Sequence, residues 1–336
     1  MQRPNLSLSA ADVTLWQSRR YLWLVCTLLS VGCGARTGFE TDLASVPVQG
    51  SAGAAAAPCT KDWDQIVWDA SREEAVLYLW TVNANDTWAV VAGDAVGVRP
   101  FHRDHWDGSS WTRTASENDP SGVFGNQQIW AADGGQAFAG GTQDLQRWTG
   151  KIWANWQNTP GCHAIAGTAT NDLWCATDSE LWRFDGANWT QSLSINGVQG
   201  ILAKTRNDVW IWGTSGASHF DGIHFQPVLS DPVKRVSTST PNDIWVVQDG
   251  NVLHATSPSG PWTLQNPTGG IIASVWSESP SNTWVVAAGA GMRWNGQSWQ
   301  LMDLPMQDER LLISGSADDI WIAGTLKLAH GHPVCR

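Results

Sequence analysis

An all-β fold is the class this sequence predicts, and three observations carry the prediction. An aromatic residue follows a short polar turn seven times, at Trp88, Phe138, Trp174, Trp210, Trp245, Trp284 and Trp321, at intervals of 35 to 50 residues. The apolar runs around these anchors are short and bounded by Asn, Asp and Gly, the punctuation of strands and hairpins. Tryptophan is abundant, 24 residues against 2 tyrosines, and most of it falls at repeat positions. A repeat of this length with four strands per unit is the signature of a β-propeller. A single unit cannot bury both of its faces, so the units must stack around a ring and the large aromatics become inter-blade packing. The prediction is a seven-bladed β-propeller with four-stranded blades, the last closed by a strand from the N-terminal side.

The clearest copy runs from Asn171 to Trp189. Its Asn171-Asp172 turn leads into Leu173-Trp174, then Leu181-Trp182-Arg183-Phe184, then Asp185-Gly186 and a closing Trp189. Asp-Gly between apolar runs is a strong hairpin signal, because it suits the positive φ angles of a type I′ turn. Asn-Asp turns recur at Asn85-Asp86, Asn207-Asp208 and Asn242-Asp243, with Asp318-Asp319 in the last copy. Nine residues before most anchors stands an aliphatic residue: Leu79, Ile129, Ile165, Ile201, Val236 or Val275. Ile313 stands eight before the last anchor. Downstream come Trp148, Phe184, Phe220 or Trp294, each soon followed by Gly, and then Trp153, Trp189, Phe225 or Trp299. The fifth copy is looser and closes on Trp262. Each unit therefore reads as strands a to d in chain order.

Residues 1–32 read as a signal peptide. Arg19-Arg20 precede an apolar run from Tyr21 to Val31, too short to span a bilayer as a mature helix but suited to a leader. The run ends Leu29-Ser30-Val31-Gly32-Cys33, which resembles the lipobox of bacterial lipoproteins, with Ser30 where Leu is usual. The resemblance implies acylation of Cys33 and an anchor in the bacterial cell envelope. Gly34 at the second mature position implies the outer membrane. Residues 33–58 contain no repeat but hold Gly50-Ser51-Ala52-Gly53 and the run Ala54 to Ala57. They read as a flexible tether ahead of a propeller over residues 59–336.

The last copy stops at Cys335-Arg336 without a strand d. Trp63 to Trp68, ahead of the first strand a, has the spacing to supply it. Outside the leader and Cys33 the cysteines are Cys59, Cys162, Cys175 and Cys335. In an exported chain these suggest two disulfides, with three connectivities open. Cys59 lies just before the proposed closing strand and Cys335 just after strand c, so a bond between them would replace the missing turn. Cys162 and Cys175 flank the a–b hairpin of the third blade and would pair by default.

The net charge of −11 argues against a nucleic-acid partner, since a phosphate backbone attracts the opposite sign. The leader carries Arg3, Arg19 and Arg20 against Asp12, so the mature chain is more acidic still. In a four-stranded antiparallel blade, d–a and b–c connections share one face. Two insertions of those types adjoin, around residues 99–105 and 112–128. They make Arg99, Phe101, His102, Arg103, Asp104, His105, Glu117 and Asp119 the candidate ligand-binding residues, because function concentrates on loops held by a scaffold. His102 and His105, with Asp104 and Asp107, have metal-ligating side chains, but at this spacing the pattern is unspecific and no metal or other cofactor is expected. A His or Arg before the strand c aromatic recurs at His105, Arg147, Arg183, His219 and Arg293. It reads as a structural cap or a ring-stacking group; a ligand site repeated in each blade is the alternative.

The hairpins Asp107 to Trp111 and Asp185 to Trp189 resemble a degenerate Asp-box of sialidase-type repeats without its Ser-x-Asp-x-Gly spacing, which implies a structural role. A sialidase-like site would need a Tyr nucleophile, and Tyr78 is the one tyrosine beyond the leader. The alternation of Asn-Asp-x-Trp with a closing Trp over roughly residues 60–335 is similar to tectonin-type propellers, which implies a lectin but carries over no ligand residue. The expectation is a monomeric, lipid-anchored binding module for a glycan or a protein, not an enzyme. A glycoside-active enzyme and an envelope-assembly scaffold are its rivals.

Overall fold

The computed structural model describes residues 63–66, 75–92, 102–116, 128–140 and 145–331, less 303, 309, 317, 318 and 326. Every regular element among them is a β-strand, and the strands form seven four-stranded antiparallel blades. Blade 1 comprises Ala75–Asn83, Asp86–Ala92, His102–Trp106 and Trp111–Ser116. Blade 2 comprises Ile129–Ala132, Gln136–Ala139, Leu145–Trp148 and Ile152–Trp156. Blades 3 to 6 begin at Ala164, Val198, Val233 and Ile272. Blade 7 takes Leu312–Ser316, Asp319–Ala323 and Leu328–Gly331, and its outer strand is Trp63–Ile66, paired Trp63 to Gly331 and Ile66 to Leu328. The ring is therefore closed by the N-terminal side of the chain, as the missing strand d predicts.

Four of the anchor aromatics, Trp88, Trp174, Trp245 and Trp321, meet rings of the next blade. Trp88 meets Trp148 and Trp153 edge-on, at 5.6 and 5.4 Å between ring centroids. Trp174 meets Phe220 and Phe225, and Trp245 meets Trp299. Trp321 of blade 7 meets Trp106 and Trp111 of blade 1 at 5.2 and 5.1 Å, so one packing rule runs around the ring and across its closure. Edge-to-face geometry is the favourable one for ring quadrupoles. Trp88, Trp174, Trp210, Trp245 and Trp321 are all fully buried.

The two turn motifs explain each other. Gly108, Gly186, Gly222 and Gly296 of the c–d turns have φ between +92° and +99°. A Cβ on Gly108 would lie 2.3 Å from the Asn85 side chain, and one on Gly222 2.8 Å from Asn207. Glycine is needed for the backbone and for the close approach of the a–b turn beside it. Unlike a type I′ turn, only the glycine has positive φ. The preceding carboxylate does the rest: Asp185 accepts the amides of Ala187 and Asn188, and Asp221 those of Ile223 and His224. Ser109 and the backbone amides of Ser110 and Ser109 hold the Asp107 carboxyl down to about 2.

Cys162 and Cys175 form a disulfide with Cα atoms 5.7 Å apart. Cys33, Cys59 and Cys335, the leader and the tether lie outside the described residues.

Candidate functional site

The first-blade candidates divide. Arg99, Phe101, Glu117 and Asp119 lie outside the described residues. His102 to His105 are not loop but strand c, paired with strand b from Val91–His102 to Trp88–His105. The reason is the length of strand b, whose backbone groups must find partners along the whole run. Arg103 and Asp104 are buried, at 3% and 4% exposure. The Arg103 guanidinium donates to Gln146 Oε1 at 2.6 Å and to the Gly140 carbonyl at 3.3 Å, and lies 4.7 Å from the Trp153 ring centroid. It ties blade 1 to blade 2. His102 Nε2 lies 2.7 Å from Arg113 Nη2 at the surface. His105 bonds Asp86 at 2.9 Å and stacks on Trp88.

The last contact belongs to a set. In every blade but the second, the second residue of the a–b turn meets the recurring strand c His or Arg: Asp172 with Arg183, Asp208 with His219, Asp243 with His254, Asn282 with Arg293 and Asp319 with His330. The cation in turn covers the anchor ring, at 4.0 Å for His254 on Trp245, 3.9 Å for His330 on Trp321 and 4.8 Å for Arg183 over Trp174. Blade 5 is the most complete. Burial pushes the Asp243 carboxyl up, but hydrogen bonds from His254, Ser239, Ser277 and Trp245 outweigh it and leave the pKa below the ordinary value. The recurring His or Arg is thus engaged in holding six of the seven blades together, blade 2 with its exposed Arg147 being the exception. Among the described residues no cluster of three or more His, Cys, Asp or Glu could hold a metal ion.

The open concavity is elsewhere. The inner strands of blades 1, 4, 5, 6 and 7 enclose a cavity of about 370 Å³ in the central channel. Its walls include Val82, Lys204, Glu278 and Ser316, all near the ends of their inner strands, so it lies toward the a–b turns. That is the face opposite the b–c and d–a ends of the strands. Tyr78, Trp80 and Trp276 supply half-buried aromatic surface. Trp80 is held by a bond from Nε1 to the Ala131 carbonyl at 3.0 Å. Trp276 lies against Gly315, where a Cβ would come within 3.0 Å of the indole.

Three charged residues line the cavity. Arg235 of blade 5 reaches to 5.8 Å from the ring centroid of Tyr78 in blade 1, a contact between blades that are not neighbours. Burial raises the Tyr78 phenol pKa, and the Arg235 charge opposes the rise. Lys204 is open to solvent along the channel yet walled in on other sides, and that desolvation lowers its pKa against the pull of Asp208. Glu278 accepts from Asn282 Nδ2 at 2.6 Å. Loop insertions drew the sequence reading away from these residues. The available signal was the inner-strand position after the recurring aliphatic, aromatic at Trp80, Trp130 and Trp276.

No protein-family model matches the chain, and no curated protein matches it. Solved structures do resemble it. One is YCF48 bound to D1 peptide, with a TM-score of 0.63, 15% identity, and coverage of 81% of this chain and 98% of that one. Another is U3-55K, with a TM-score of 0.61, 12% identity, and coverage of 83% and 100%. A third is the Neurospora crassa Pan2 WD40 domain, with a TM-score of 0.60, 11% identity, and coverage of 83% and 98%. At these identities the likeness is one of fold: the chain is a seven-bladed β-propeller with WD40-like neighbours.

Proposed function

We propose that the chain is a ligand-binding module whose ligand docks in the central channel at the a–b end. The channel cavity carries this reading. Its volume falls in the range of small-molecule and side-chain sites, its walls are rigid inner strands, and aromatic planes stand beside hydrogen-bonding groups. Aromatic faces stack on sugar rings, so a glycan is the favoured ligand. A protein segment is the second reading, favoured by the likeness to a propeller solved with a peptide bound. The Cys162–Cys175 disulfide agrees with an oxidising compartment and so with export through the leader and anchorage at Cys33.

A glycan array probed with the detergent-solubilised chain tests the reading. Trp276→Ala is expected to weaken binding to the array's best ligand by about 1–2 kcal/mol, the scale of a contact residue. Binding undisturbed by Trp276→Ala and by Trp80→Ala would place the site off the channel. Anchorage is tested separately: Cys33→Ala is expected to abolish labelling by a palmitate analogue, and undiminished label would overturn it.

A further inference from the structure

The charge of the channel cavity is opposite to that of the molecule. The chain carries −11 overall, yet the cavity wall holds Lys204 and Arg235 against Glu278 alone. Among the described residues neither cation has a carboxylate within ion-pair distance. The contact recorded for Arg235 is the face of Tyr78. Glu278 is turned to Asn282. Desolvation lowers the Lys204 pKa, and an anion beside it would oppose that shift. Arg235 offers a carboxylate a bidentate fork, and Lys204, nearer the a–b end of the same cavity, adds a second positive charge. Beside them Trp80 and Trp276 offer flat apolar surface.

Resting on the channel reading above, we propose that the cavity selects an acidic sugar, a pyranose bearing a carboxylate. The carboxylate pairs with Arg235, Lys204 adds positive charge toward the a–b end, and the ring packs against Trp80 or Trp276. Thr81 and Ser237 on the cavity wall accept bonds from Thr87 and from the Ser277 amide, which leaves their O–H groups to donate to the sugar.

The test is titration of the full chain in detergent with D-glucuronate, D-glucose and acetate, followed by saturation-transfer NMR and tryptophan fluorescence, which register weak binding. Glucuronate is expected to bind, with glucose and acetate each weaker by at least about tenfold. Lys204→Met and Arg235→Gln are each expected to weaken glucuronate by at least about tenfold while leaving glucose unchanged. Glu278→Gln, which keeps an acceptor for Asn282, is expected to tighten glucuronate by removing the one carboxylate on the cavity wall. Thermal melts of the variants separate loss of binding from loss of fold, and Glu278→Gln stands as a readout even where Arg235→Gln fails to fold. Equal binding of glucose would overturn the acidic preference but leave the glycan site. Equal binding of acetate would reduce the site to an anion hole. No binding of glucuronate, with an array ligand still displaced by Trp276→Ala, would overturn this inference and spare the channel reading. Loss of neither ligand on Trp276→Ala and on Trp80→Ala would sink both.

Discussion

Blade 5 and blade 2 solve the same packing problem in different ways. In blade 5 the buried Asp243 gathers His254, Trp245 and Ser239 of its own blade and Ser277 of the next. His254 then lies flat on Trp245, and Trp245 enters blade 6. In blade 2 the corresponding positions are Gln136, Phe138 and Arg147, and Gln136 and Arg147 are exposed. Without that polar cluster, blade 2 leans on its neighbours. Its outer strand pairs in parallel with that of blade 1 at Ala115–Ile152 and Ser116–Trp153. Arg103 arrives from blade 1 to cover Trp153 and bond Gln146, and Thr114 accepts the indole N–H of Trp153 at 2.8 Å. On the other side Gly140 packs on the Cys162 carbonyl, beside the disulfide. A propeller can thus hold a blade from within or from both flanks. The second way makes a blade depend on contacts distant in sequence.

Substitutions at four places would break or sharpen this contrast. Asp243→Ala removes the acceptor of four hydrogen bonds, two of them buried, and is expected to destabilise by about 3 kcal/mol in chemical denaturation. The same carboxyl sets an acid limit. Its folded pKa lies below the unfolded value, so its contribution is complete above about pH 4 and is lost as the pH falls through the folded pKa. Asp243→Asn should therefore flatten the acid limb of the stability curve, and an unchanged limb would mean that Asp243 is not the titrating group.

Replacing Cys162 and Cys175 together by serine should lower stability by about 2–3 kcal/mol, given the short loop they close. The loss should show first as faster hydrogen exchange in blades 2 and 3; uniform exchange would argue against the flank support of blade 2. Arg103→Met keeps the stem and deletes the hydrogen bonds, for an expected loss of about 1–2 kcal/mol. That loss should couple in a double-mutant cycle with Gln146→Ala. The smallest effect is a gain: Gln136→Asp would set a carboxylate toward Arg147 as Asp172 faces Arg183, worth less than about 1 kcal/mol because the pair is exposed.

Much of this architecture was legible in the chain. The aromatic anchors specified seven blades because each must find a partner ring, and period and closing aromatic repeat together. The missing strand d of the last blade located its replacement at Trp63–Ile66, since an open edge must be paired. The structural reading of the recurring His or Arg was also available, because a group needed once per blade serves the blade.

Other features depended on which distant segments meet. Local pattern marked residues 99–105 as an insertion; only the pairing with strand b showed that Arg103 and Asp104 are interior. Local pattern also offered a type I′ turn at Asp-Gly, whereas the Asn of the neighbouring hairpin and the capping carboxylate decided the conformation. The channel cavity is the extreme case. Tyr78, Lys204, Arg235 and Glu278 are spread over two hundred residues of chain and share no motif. They become one site because a ring brings the inner strand of every blade to a common axis. A sequence period determines how many strands arrive there, while the chemistry found on the axis depends on the three-dimensional meeting of their side chains.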